Sequence, residues 1–153
     1  MSLPNIFTKE VSEQVIARIE KLTPTTPHLR GKMTVDQMLA HCNITYEYVY
    51  EPTKHQSPNF FIKSILKLFV KKIVTNEKDF KHNSSTAPDF IITWDKDFEA
   101  EKKRLINFIT KTQALWETHF EWLESHSFGK LNTTERNNMF YKHLDHHLRQ
   151  FWV

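Results

Sequence analysis

His143-Leu144-Asp145-His146-His147 packs three of the chain's nine histidines into five residues. On an α-helix, His143 and His147 stand about 40° apart around the axis and about 6 Å apart along it. Two imidazoles stacked in this way can share one divalent metal ion. His143 with His146, at i and i+3, is a second arrangement that the spacing allows. Leu144 follows the first histidine where a metalloprotease HExxH motif has its glutamate, so the stretch carries no general base of that kind and peptide hydrolysis is disfavoured.

A third ligand must come from elsewhere. His41 lies at the edge of an apolar stripe in another helical segment and is the candidate. Three protein ligands leave a fourth position for water or substrate, as catalytic sites require, whereas structural zinc sites close with four ligands and often use thiolates. The single cysteine, Cys42, points about 100° away from His41 on a helix and reads as a small core residue. His119 and His126 read as surface or packing histidines. Thr45 and Tyr48, one and two turns after His41, are candidate substrate contacts.

The elements that must position these residues are helical. Two glycines and six prolines among 153 residues leave long periodic stretches and few turn signals. Val11, Val15, Ile16, Ile19 and Leu22 predict a first helix from Thr8 to Leu22, ended by Pro24. Thr34 and Gln37 fit a capping box for a second helix that runs to Pro52. Ser57-Pro58 is read as the start of a third, over Phe60 to Val74, which caps the bundle with Lys63, Lys67, Lys71 and Lys72 in solvent, the alternative for its apolar face and lysine face being a membrane surface. A polar connector from Thr75 to Trp94 includes Asn83-Ser84-Ser85 and an extended stub at Ile91 to Trp94. Asp95 or Asp97 caps a fourth helix of about 28 residues, on the order of 40 Å, with Trp116, Phe120 and Trp122 as core packing. Gly129 marks a loop. Thr133 or Thr134 caps the last helix, which reaches Phe151.

Length fits a single domain, 1–153. The long connection between the second and fourth helices allows an all-α four-helix bundle of up-down-down-up order, with the short third helix on the crossover. The net charge of +3 and scattered lysines predict no nucleic-acid partner. No apolar run is long enough for stable membrane insertion. One cysteine and the lack of a basic-then-apolar leader in Met1-Ser2-Leu3-Pro4-Asn5 predict a reducing, cytoplasmic setting.

Two stretches resemble signatures of one family. Gly31-Lys32-Met33-Thr34-Val35-Asp36-Gln37-Met38-Leu39-Ala40-His41-Cys42-Asn43 is similar to the first signature of a bacterial branch of the DinB/YfiT-like superfamily of metalloenzymes. Phe128-Gly129-Lys130-Leu131 with Tyr141 to Phe151 is similar to its second. The resemblance covers essentially the whole chain. It implies a four-helix bundle, a divalent metal (zinc or nickel) on His41, His143 and His147, and a homodimer in many members. It also implies a transferase that uses a low-molecular-weight thiol to attack an electrophile. Arg30, Ser127 and Arg136 depart from the pattern, standing where tryptophan, proline and tryptophan are common. Metal-dependent hydrolysis uses the same ligands, and a non-catalytic, metal-stapled interaction module is a third expectation.

Overall fold

The computed structural model describes residues 2–81 and 86–153; the Asn83-Ser84-Ser85 part of the connector lies outside them. The chain is mostly helical with one small two-stranded sheet. Its longer helices are α1 (Lys9–Glu20), α2 (Val35–Tyr50), α5 (Phe98–His119) and α6 (Thr133–Leu148). Two short helices, α3 (Phe60–Ile65) and α4 (Lys71–Thr75), are joined by a π-helical turn at Leu66–Val70. Strands β1 (Glu124–Ser125) and β2 (Gly129–Lys130) pair antiparallel, with Glu124 opposite Lys130. Gly129 takes φ +73° at the start of β2, so the expected loop contains a small hairpin. Ile91 to Trp94 forms no strand.

Local chemistry sets the helix starts. The Thr8 hydroxyl accepts from the Val11 amide at 3.3 Å, and Thr34 with Gln37 closes the capping box of α2. Asp97 caps α5 by accepting from Ala100 at 2.9 Å. Two starts differ from the sequence reading. Asn59, not Ser57, caps α3, its side chain accepting from Ile62 at 2.9 Å. Asn132, not a threonine, caps α6, in a reciprocal box with Glu135. Thr133 is engaged elsewhere: its amide and hydroxyl both donate to Glu121.

α1 and α2 each pack against both α5 and α6. Tyr46 of α2 stacks on Phe140 of α6 with centroids 4.7 Å apart, and on Phe108 of α5 at 5.8 Å. Phe7 stacks on Phe120 at 5.0 Å. The segment before α1 is pinned to α6, since the Ile6 amide donates to Asn137 Oδ1 at 2.8 Å and Asn137 Nδ2 donates to Pro4 O at 3.1 Å. Arg136 fills volume in this core and is almost fully buried, with Nη2 donating to Leu123 O at 2.9 Å. Burial lowers its guanidinium pKa to about 10.

α5 is shorter than its periodicity suggests. Trp116 adopts φ +64° and Trp122 φ +58°, a left-handed region that costs an L-residue energy and breaks helical register. Consequently Phe120 is buried while Trp116 and Trp122 are exposed, and the expected aromatic core cluster keeps only Phe120. The α3–α4 segment is also turned over relative to expectation. Its apolar side chains Phe60, Phe61, Leu68, Phe69 and Ile73 are exposed. Lys71 instead reaches inward, to Glu135 at 2.9 Å and to the Lys130 carbonyl at 3.3 Å.

A buried ion cluster ties α2 to α5. The Glu47 carboxylate, almost fully buried, meets Arg104, Lys54 and His55, and Arg104 also bonds Glu51 at 2.7 Å. Burial alone would raise the Glu47 pKa, but hydrogen bonds from Lys54 and His55 and the Arg104 charge outweigh it and hold the carboxyl below its ordinary value. A carboxyl depressed by folding stabilises the native state above its unfolded pKa, and that contribution is lost as pH falls through the folded value. Stability of the native chain should therefore decline below about pH 4.3, the ordinary glutamate value. Urea titrations across that range should show a shallower acid decline for Glu47→Gln, which removes the titrating group.

Candidate metal centre

The arrangement of α2 against α6 brings His41 together with His143 and His147. One ring nitrogen from each lies within 4.8 Å of the others. The closest pair is His41 Nε2 and His143 Nε2, 3.0 Å apart. Ring centroids of His41 stand 5.0 Å from His143 and 4.4 Å from His147, and His143 stands 4.7 Å from His147. Two nitrogens on a tetrahedral zinc ion lie about 3.3 Å apart, given bonds of about 2.05 Å. The three rings therefore sit near ligating separation, and together they could hold a metal ion.

The other nitrogen of each ring is occupied. His41 Nδ1 lies 2.8 Å from the Phe90 carbonyl oxygen. A carbonyl only accepts, so Nδ1 carries the proton and Nε2 presents a lone pair. His147 Nδ1 lies 3.1 Å from Gln150 Oε1. The Gln150 amide nitrogen donates to His146 Nε2 at 3.2 Å, which aims its oxygen at His147. His143 Nδ1 lies 3.1 Å from the Thr45 hydroxyl, which can accept. The Phe90 carbonyl and the Gln150 amide oxygen therefore hold the proton on Nδ1 of His41 and His147, while the Thr45 hydroxyl, able to donate or accept, suits either tautomer of His143; anchoring the second ring nitrogen is the outer-shell pattern of histidine metal sites.

Electrostatics agree with this assignment. Burial is the main cause that lowers the pKa of all three rings. Mutual repulsion adds to it: His147, His41 and His146 depress His143, and His41 depresses His147 despite the Gln150 hydrogen bond. The rings are therefore neutral at pH 7, the form that ligates. Among the described residues, no carboxylate or thiol joins the three histidines.

The sequence placed Thr45 and Tyr48 beside the site as substrate contacts. Thr45 is buried and its hydroxyl backs His143. Tyr48 lies further out. Its hydroxyl donates to Asp89 at 3.0 Å, and its ring stacks on His126 with centroids 4.2 Å apart. His146 lies outside the triad, with its ring edge-on to Phe80 at 5.5 Å. Cys42 is fully buried, its Sγ 3.7 Å from the Met38 sulfur, and burial pushes its thiol pKa far up.

Phe90 and Gln150 were not singled out in the sequence. Gln150 could have been, since it follows His147 at i+3 on the same helical face. Phe90 could not, because it reaches His41 from a 3₁₀ turn, Pro88–Phe90, some fifty residues away. The Phe90 ring also lies edge-on to His41 at 5.2 Å and to His143 at 5.9 Å.

If these partners set the tautomers, removing one should weaken metal binding without unfolding the chain. Gln150→Ala should lower affinity for zinc about ten- to hundredfold, read by competition with a chromogenic chelator, while far-UV circular dichroism stays native.

No curated protein and no solved structure matches the chain. The family described as "Protein of unknown function (DUF1569)" matches residues 6–152, a span that takes in His41, the Phe90 turn and the whole of α6, and the chain belongs to that family.

Proposed function

We propose that the chain is a divalent-metal-dependent enzyme of the DinB/YfiT type, with α1, α2, α5 and α6 as an up-down-down-up bundle, and that it transfers a low-molecular-weight thiol to an electrophile. The observation behind this reading is the three-histidine set with every Nδ1 anchored. A zinc or nickel ion bound there supplies Lewis acidity that lowers the pKa of a coordinated thiol or water.

The chain's own residues do the rest. Phe90, Thr45 and Gln150 hold the imidazoles in orientation, so little reorganisation is needed on binding. Three neutral rings leave the dication's charge uncompensated, and the remaining position therefore favours an anion. Thiolate is the natural anion for transfer: with the thiol proton lost to solvent, its sulfur would form a bond to carbon as the electrophile's leaving group departs with the electron pair of the broken bond, a step that needs no protein base and suits a triad without an adjoining carboxylate. Tyr48, whose hydroxyl bonds Asp89 next to Phe90, is our candidate for contact with the polar part of a substrate.

The test is elemental analysis of purified protein followed by conjugation assays with an electrophile, run with and without bacillithiol or glutathione. Expected are one metal per chain and turnover that depends on both thiol and metal. Turnover without thiol would favour metal-assisted hydrolysis on the same ligands. Failure of His143→Ala to change metal content or turnover would remove the basis of the proposal.

A further inference from the structure

An ordinary surface helix turns its apolar face inward and its lysines outward. Residues 60–73 turn their apolar face outward as well. Phe60, Phe61, Leu68 and Phe69 expose 87%, 72%, 73% and 69% of their surface, and Ile62, Ile65 and Ile73 are exposed as well. These residues form a continuous apolar strip along α3, the π-turn and the start of α4.

Of the lysines, Lys63 and Lys71 are half-buried towards the body and Lys67 and Lys72 are exposed beside the strip. Lys71 is paired with Glu135. Lys63 and Lys67 line a groove of about 320 Å³ with Phe60, Ser64, Ser127 and Gly129. Lys72 is exposed near the other end. From Pro52 to Asn76 the chain contains Lys54, Lys63, Lys67, Lys71 and Lys72 and not one aspartate or glutamate. The end of α4 is clamped to α6 by Lys142 Nζ, which donates to Ile73 O at 2.7 Å and Asn76 O at 2.8 Å, and by Asn138, which donates to Thr75 O at 2.8 Å.

We propose that this segment docks the protein on an anionic membrane surface. The aromatic and aliphatic strip enters the boundary between headgroups and acyl chains, and the lysine-lined groove with Lys72 receives lipid phosphates. Aromatic and leucine side chains on one face with lysines beside them are the composition of interfacial helices. The association is peripheral, because no described helix is long and apolar enough to span a bilayer. Charge selects this occupant over a second copy of the chain. A two-fold contact through the same strip sets one acid-free lysine flank beside another, whereas anionic lipid neutralises both. The inference is independent of the metal centre.

Vesicle flotation of the full chain tests it, comparing phosphatidylcholine vesicles with vesicles containing roughly one-third phosphatidylglycerol. Binding to the anionic vesicles should be at least about tenfold tighter and should weaken as salt rises. Leu68→Gln with Phe69→Gln should weaken it about a hundredfold. Lys63→Gln, Lys67→Gln and Lys72→Gln together should weaken it by about fivefold per lysine. All five side chains are at least partly exposed, so the variants should keep the native circular dichroism spectrum. Lack of binding to anionic vesicles at low salt, or equal binding to both vesicle types, overturns the proposal. So does a dimer in sedimentation velocity that Leu68→Gln with Phe69→Gln dissociates while the unaltered protein ignores vesicles, since a second copy would then cover the strip.

Discussion

His143→Ala is expected to abolish tight metal binding while leaving a folded chain. His143 is the middle member of the triad: its Nε2 lies 3.0 Å from that of His41, and it shares a helix face with His147. Removing it leaves two ligands on different helices, so the loss should exceed the ten- to hundredfold cost of deleting one outer-shell partner. Isothermal titration with zinc, or metal content after dialysis, reads the effect. The fold should survive because the ring stands beside the apolar core, and its removal takes a partner only from the Thr45 hydroxyl and from His41 Nε2. A second readout separates ligand loss from general damage. Zinc should raise the melting temperature of the unaltered protein, since a ligand that binds only the native state stabilises it by mass action. In His143→Ala that increment should nearly vanish while the metal-free melting temperature moves little. Retained zinc affinity in this variant would show that the three rings do not act together.

Phe140→Ala is expected to have the largest effect on stability, about 3–5 kcal/mol. Phe140 is fully buried one turn before His143. Its ring stacks on Tyr46 from α2 and meets Phe7 and Phe120 edge-on at 6.4 Å and 6.1 Å. Truncation therefore opens a cavity at the point where the segment before α1, α2 and the end of α5 converge on α6. Such a loss is a large share of the 5–15 kcal/mol that a domain of this size commands. Chemical denaturation should show a lower midpoint with an unchanged slope. Zinc should recover part of it, because His143 and His147 lie on the same helix as the cavity and ligation to His41 ties that helix back to α2.

How far the sequence carries can be judged on α6. Its apolar period and the i, i+4 spacing of His143 and His147 are local properties, visible because an α-helix converts sequence spacing directly into a face. The same logic places His41 on the inner edge of α2, behind a capping box that the structure contains. The start of α6 was harder to read. Asn132, Thr133 and Thr134 are all competent caps, and the choice depends on Glu121, which engages Thr133 from across a turn.

Local spacing therefore carries most of the helical elements, the three histidines as candidates, and the lack of a glutamate base next to His143. How those histidines are held depends on contacts between distant segments. The Phe90 carbonyl and the Gln150 amide oxygen fix the Nδ1 protons of His41 and His147, and the Thr45 hydroxyl backs His143; Phe90 and Thr45 reach their histidines from separate elements. Contacts between distant segments also decide which side of residues 60–73 faces solvent. Periodicity shows that a segment has two faces, but not which one the rest of the chain covers. Lys71 finds Glu135 and the Lys130 carbonyl on the body, and the phenylalanines are left outside. Trp116 and Trp122 make the same point, because positive φ at Trp116, near the end of α5, and at Trp122, just after it, undoes the register on which their expected burial depended.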